Sequence, residues 1–314
     1  MSIRLPVGHD SLWRPGITKI QIGLAMKYRI LIARLSATLM LAWLPMLARA
    51  DMLPGKSSAI GTVPHAALKT QLVEYRDGDQ VLEGYLAYDA AKVGKRPAVL
   101  IVHDWKGVGP NVQQRAQQLA RLGYLAFAAD IYGKGVRPDS PEAASAQAGK
   151  YKQDRALFRS RLLAGYRAML ASSQADAART AAIGYCFGGT GVLELARAGA
   201  DLRGVVSFHG GLDSPTPADG KNIRGKVLIL HGAEDPFVKP ADIDALLAEL
   251  RSAEVDWQMI TYSGAVHSFT DPEAGNDAST GAAYNASADR RSWGAMRLFF
   301  DELFNASGGK LNDK

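Results

Sequence analysis

The 314-residue chain contains one cysteine, in the run Gly184-Tyr185-Cys186-Phe187-Gly188-Gly189. This run has the form G-x-nucleophile-x-G, in which a reactive side chain stands on a sharp turn from strand to helix. The flanking glycines have a steric reason. The nucleophile's backbone is strained, and side chains at Gly184 and Gly188 would collide with the adjoining strand and helix backbone. The helix that opens after Cys186 points its first N–H groups at the sulfur, which favours thiolate. A thiolate so placed attacks carbonyl carbon when a histidine exchanges its proton and an acid orients that histidine. His267, in Ala265-Val266-His267-Ser268-Phe269, and Asp235, in Gly232-Ala233-Glu234-Asp235-Pro236, both follow the cysteine in the chain, as this type of site requires. Glu234 is a second candidate for the acid. Each residue also has a duller reading: Cys186 as a small buried hydrophobe, Asp235 as a turn or cap residue, His267 as a surface histidine. The required order of all three favours the chemistry.

Residues so far apart need a scaffold that brings them to one edge, and the hydrophobic pattern supplies it. Strands are expected over residues 70–75 and 81–88, antiparallel about Asp77-Gly78. A buried strand follows at 98–103, then a helix at 112–122 stopped by Gly123, and a strand at 124–129. Residues 140–172 read as one or two polar helices. The alternation then repeats: strand 180–185, helix 189–198, strands 204–208 and 227–231, helix 240–252, strand 255–262 and helix 286–304. Strands alternating with helices predict one α/β domain over residues 65–305, a mostly parallel sheet with helices on both faces. Asp235 and His267 each fall just after a strand.

The net charge of +6 is misleading as a hint of nucleic acid. Residues 1–50 hold seven basic residues (Arg4, Arg14, Lys19, Lys27, Arg29, Arg34, Arg49) and one acid, Asp10, which leaves 30 of each sign in residues 51–314. No basic stripe remains on the body of the chain, so no nucleic-acid partner is expected. The same segment reads as an export signal. A basic start at Met26-Lys27-Tyr28-Arg29 leads into a mostly apolar run over 30–47, and Ala48-Arg49-Ala50 precedes Asp51. Cleavage is expected after Ala50, with residues 1–25 an upstream extension and residues 51–64 and 306–314 tails. The expectation is a periplasmic or secreted protein that meets a membrane only during export. A single cysteine closes no internal disulfide in such a compartment.

Residues 70–305 resemble the dienelactone hydrolase family of the α/β-hydrolase superfamily. The resemblance lies in Val102-His103-Asp104-Trp105-Lys106-Gly107, Ala129-Asp130-Ile131-Tyr132-Gly133, the glycine-rich run around Cys186, Gly232 to Phe237, and His267-Ser268-Phe269. It implies hydrolysis of a small-molecule lactone or carboxylic ester, with Cys186, Asp235 and His267 as a triad and no cofactor. It implies an oxyanion hole from the N–H groups of Trp105 and Phe187. It implies too that Asp104, where the family often has glutamate, hydrogen-bonds the resting thiol. Lys134 falls where members that cleave dienelactone place a substrate-binding arginine, keeping the charge and losing the bidentate fork. Asp271 falls where the second arginine stands, and it would repel a carboxylate substrate. Another lactone or ester, neutral in charge, is therefore the expected substrate, with Arg137 near Lys134 as a lesser candidate for contact. His103, His209 and His231 end strands and read as structural. No metal-binding spacing occurs, so metal is expected to be absent. A monomer or small homo-oligomer is expected. Three other readings stay open: a general carboxylesterase, a binding protein that kept the fold, and a redox switch on Cys186. Intact triad positions weigh against the second, and the lack of a resolving cysteine against the third.

Overall fold

The computed structural model describes residues 67–305. The expected export signal, upstream extension and both tails lie outside the described residues. The described residues open with a hairpin, β1 (Leu68–Asp77) and β2 (Gln80–Asp89), closed at Asp77–Gln80 by a turn in which Gly78 takes φ +58. Glycine reaches that conformation without steric cost. Six further strands follow: β3 (Arg96–Val102), β4 (Leu125–Ala129), β5 (Ala175–Tyr185), β6 (Gly204–Phe208), β7 (Lys226–Gly232) and β8 (Trp257–Tyr262). They form one sheet in the order β1-β2-β4-β3-β5-β6-β7-β8, parallel from β4 onward. β4 (LAFAA) and β6 (GVVSF) are buried along their whole length, which is why β4 reads as an unbroken apolar run and β6 is broken only by Ser207.

Helices α1 (Pro110–Leu122) and α6 (Ala286–Asn305) cover one face, around Val112, Leu119, Met296 and Phe300. The other face carries α2 (Pro141–Gln153), α3 (Arg155–Leu170), α4 (Phe187–Arg197) and α5 (Pro240–Ser252), packed around Phe158, Leu162, Leu195 and Leu250. The expected layered α/β architecture is thus the observed one. The polar stretch after residue 140 is two helices, because Asp154 ends α2 and caps α3 by accepting the N–H of Leu157 at 2.9 Å. Such a cap satisfies an N–H that the helix leaves free. Three short 3₁₀ segments, Pro217–Asn222, Pro272–Ala274 and Ala278–Thr280, stand where the sequence pattern gave only loop.

α4 runs through the interior, and its two charged side chains are paired there. Arg197 donates to both carboxylate oxygens of Glu249 at 2.8 Å and to Glu194 at 3.0 Å, and Arg159 donates to Glu194 at 2.7 Å. Burial of these charges is tolerated because each finds a partner in good geometry. The helix that opens at the cysteine is thereby tied to α3 and α5. β3 lies between β4 and β5, so the sheet order reverses there, and the carboxyl ends of the strands open into a crevice at that point.

Candidate active site

Cys186 directly follows β5 and caps α4 with φ 54 and ψ −114, a conformation forbidden to most residues and kept only where the surroundings enforce it. The enforcement comes from close backbone packing. A Cβ on Gly184 would lie 1.9 Å from the carbonyl oxygen of Gly188, and one on Gly188 would lie 2.2 Å from the carbonyl oxygen of Val102. The turn therefore needs glycine at both places, and the sulfur is left partly exposed at its tip.

Asp235 follows β7 and His267 follows β8, and the fold brings both to the cysteine. His267 Nε2 lies 3.0 Å from Cys186 Sγ, and Nδ1 lies 2.8 Å from Asp235 Oδ2. Asp235 is buried and its Oδ1 accepts the N–H of Phe237 at 2.9 Å, whereas Glu234 is exposed. Asp235, and not Glu234, is thus the carboxylate that meets the imidazole. The His267 loop is held at both peptide groups: its N–H donates to Gly281 at 3.1 Å, and its carbonyl accepts from Ala283 at 3.0 Å. Burial disfavours a charged imidazole here. The negative sulfur of Cys186 and the hydrogen bonds to Asp235 and Cys186 outweigh burial and raise the pKa to about 10.

Trp105 is the third residue of the loop after β3, and Phe187 is the first residue of α4. Among the described residues, no carbonyl takes up the backbone N–H of either. Asp104 stands beside them, but its hydrogen bonds run into its own loop: Oδ1 accepts the N–H of Lys106 at 2.7 Å, and the carboxylate also meets Asn111. The expected contact with the thiol is replaced by this loop bond, because the short aspartate side chain closes onto the residue two positions on. Burial, with the charge of Asp271 added, raises the Asp104 pKa to about 6 against the pull of Lys106 and Asn111. A carboxyl with a raised folded-state pKa binds its proton more tightly in the native chain, so stability falls as pH climbs from about 4 through about 6. Asp104→Asn keeps the acceptor for Lys106 and removes the buried charge. It should raise stability by roughly 1–2 kcal/mol above pH 7 and leave it unchanged near pH 4. Thermal melts at the two pH values check this, and an equal shift at both would refute the charge argument.

A cavity of about 250 Å³ opens beside the sulfur, walled by Trp105, Ala148, Phe187, Phe237 and Val238 and touched by Cys186 and His267. Phe237, 60% exposed, stands edge-on to the His267 ring with centroids 5.5 Å apart. Ser145 and Lys152, both on α2, and Thr190 supply polar lining. Lys152 has no ion pair among the described residues, and no carboxylate lines the cavity. Nothing in the sequence pattern marked Ser145 or Lys152, because their place depends on how α2 docks over the sheet. Lys134 lies elsewhere: it pairs with Glu74 and, at 3.7 Å, with Glu83. Arg137 is tied to Val108 at 2.9 Å and to the buried Asp130 at 3.8 Å. Both cations are taken by nearby acceptors, so the expected substrate contact through Lys134 is not what the geometry supports. Asp271 pairs with Lys106 at 3.6 Å. Among the described residues no cluster of three or more His, Cys, Asp or Glu side chains is placed to hold a metal ion.

A mostly parallel sheet covered on both faces, with a strained cysteine turn at its carboxyl edge and a histidine and a carboxylate from later strands, defines an α/β-hydrolase. Comparison with known proteins narrows the class. The dienelactone hydrolase family model matches residues 82–304, and the chain belongs to that family, which makes it an ester or lactone hydrolase. The solved structure named m3DLH is 44% identical, with a TM-score of 0.74, and the match covers 76% of this chain and 99% of that one. A dienelactone hydrolase-like promiscuous phosphotriesterase, P91, from metagenomic libraries is 40% identical, with a TM-score of 0.72 and the same coverage. A putative carboxymethylenebutenolidase of Synechocystis is 26% identical, over 74% of this chain and 96% of its own.

Proposed function

We propose that the protein cleaves a lactone or carboxylic ester through a covalent intermediate on Cys186. The observation that carries this reading is the hydrogen-bonded series Cys186 Sγ, His267, Asp235, with links of 3.0 and 2.8 Å, at the mouth of an apolar cavity. In the mechanism, the thiolate attacks the carbonyl carbon. The negative oxygen of the tetrahedral adduct is received by the N–H groups of Trp105 and Phe187, each worth about 3–4 kcal/mol of barrier. The adduct collapses, the bond to the leaving oxygen breaks, and the His267 imidazolium gives that oxygen its proton. Water then attacks the thioester while His267 takes a proton from it. The acid leaves, and thiolate and imidazolium are restored. Asp235 holds the ring in one tautomer and balances its charge.

The apolar walls and the unpaired Lys152 favour a compact ester or lactone that also carries an anionic group, in place of the neutral substrate expected from Lys134 and Asp271. Export after cleavage at Ala50 to the periplasm or beyond, as a monomer or small homo-oligomer, completes the reading; an exported chain beginning at Asp51 tests the first part. The function itself is tested by a panel of anionic and neutral lactones, open-chain nitrophenyl esters and, given the likeness to P91, a phosphotriester. Quenched samples are analysed by intact mass. Hydrolysis of a lactone or ester with an acyl adduct on the Cys186 peptide is the expected result, with Lys152→Ala raising KM for anionic substrates alone. Turnover without any adduct on Cys186 would overturn the mechanism.

A further inference from the structure

His209 follows β6, is buried, and holds φ +40, a value rare for any residue other than glycine. Its own N–H is anchored to the carbonyl of Leu230 at 2.8 Å. Its ring does two further things. Nδ1 accepts the backbone N–H of Cys186 at 3.1 Å, an N–H it shares with the carbonyl of Phe208 at 3.0 Å, and Nε2 lies 2.8 Å from the hydroxyl oxygen of Thr270. A ring nitrogen that accepts an N–H carries no proton, so the neutral ring's proton sits on Nε2, which donates to Thr270. Thr270 is three residues beyond His267 on the same loop. Its carbonyl is fixed in turn by Arg115 at 2.8 Å, and Arg115 pairs with Asp289 at 2.7 Å. The His209 ring also packs edge-on to Phe269 at 4.9 Å and to His267 at 5.4 Å.

One side chain therefore spans the gap between the peptide N–H of Cys186 and the loop that carries His267. We infer that His209 is a positioning residue, an imidazole strut that sets the separation of Cys186 Sγ and His267 Nε2. This inference rests on the reading of Cys186 as the nucleophile. Only the neutral ring can serve, since protonation would remove the acceptor at Nδ1 and set a second cation against His267. The charged and titratable groups around it enforce neutrality. His267 on the loop after β8, Arg115 on α1 and His231 at the end of β7 add to the effect of burial, and the pKa lies well below the ordinary histidine range. The strained backbone is explained too: strain of this kind survives where the side chain is held from several directions.

The test uses Thr270→Val, which keeps the shape of the loop and removes the acceptor, and His209→Asn. Asparagine tolerates a left-handed backbone and can accept the Cys186 N–H, but it ends short of Thr270. Both are compared with Thr270→Ser, which retains the hydroxyl. On the best substrate of the panel, Thr270→Val and His209→Asn should lose roughly 10- to 100-fold in kcat, the scale of a small misplacement of reacting groups. KM should stay within about twofold. The pH profile for iodoacetamide alkylation of Cys186 should lose its reactivity at low pH as the sulfur–imidazole pair loosens, and Thr270→Ser should match the wild type in every respect. Folded Thr270→Val with wild-type kcat and a wild-type alkylation profile overturns the strut, and so does a lower kcat with that profile unchanged. The underlying reading fails separately: a fully alkylated wild-type protein that still hydrolyses substrate shows that Cys186 is not the nucleophile.

Discussion

Cys186→Ala is expected to lose hydrolysis by a factor on the order of 10⁵–10⁶ in kcat/KM, the loss seen when a covalent nucleophile is removed from a triad. That factor corresponds to about 7–8 kcal/mol of barrier. The effect should be catalytic rather than structural. Alanine must adopt the same strained φ of 54 that cysteine does, and the glycine packing around the turn is untouched, so the melting temperature should stay close to that of the parent. Cys186→Ser is more discriminating. Its hydroxyl fits the turn, but it is not ionised beside His267, and the attack must wait for proton removal. Serine activity well below wild type and above the alanine background is the expected order, read from progress curves on the same lactone. Full activity in Cys186→Ala would remove the cysteine from the mechanism.

The second large effect is on folding. Gly184→Ala adds one carbon that would sit 1.9 Å from the carbonyl oxygen and 2.3 Å from the carbonyl carbon of Gly188. Both neighbours are backbone, so no side chain can swing aside to make room. Overpacking of cores usually costs about 1–3 kcal/mol because side chains and backbone give way. Here β5 and the first turn of α4 must separate, and a loss above about 4 kcal/mol is expected. For a domain of this size that is a fall of roughly 10 °C or more in melting temperature, or failure to accumulate as folded protein. Gly294→Ala is the control, because a Cβ there meets nothing within 4 Å in the middle of α6. It should stabilise the chain by roughly 0.5–1 kcal/mol. Similar melting temperatures for the two variants would contradict the steric account of the turn.

What was legible in the sequence follows from which constraints are local. The bounds of α5 and β6 match the pattern to the residue, because Pro240 starts the helix and a short, mostly apolar run marks the covered strand. The meeting of Cys186, His267 and Asp235 was legible because the turn around Cys186 has an obligatory glycine pattern and because topology puts a carboxylate and a histidine after later strands. Side-chain direction on loops was not. Asp104 and Lys134 were placed correctly along the chain, yet each found a partner the pattern could not reveal: the N–H of Lys106 two residues on, and the carboxylates of Glu74 and Glu83 on the opening hairpin. His209 was rightly taken as buried and satisfied, but its partners Cys186 and Thr270 are 23 and 61 residues away. Lys152 lines the cavity only because α2 breaks at Asp154 and docks beside Cys186.

The high proton affinity of His267 is borrowed from its neighbour, and this gives the reaction a clock. Burial by itself lowers the affinity; the negative sulfur is the largest contribution that raises it. On the proposed mechanism the sulfur turns neutral as soon as it bonds to the carbonyl carbon, that contribution vanishes, and burial pulls the imidazole pKa down again. The ring then holds its proton least firmly at the moment when the departing alkoxide needs one. It stays uncharged while water has to be deprotonated, and regains its affinity when thiolate is released. If Cys186 is the nucleophile as proposed, acid and base roles are sequenced by the charge on one atom, with no moving part to tell the enzyme which half of the cycle it is in.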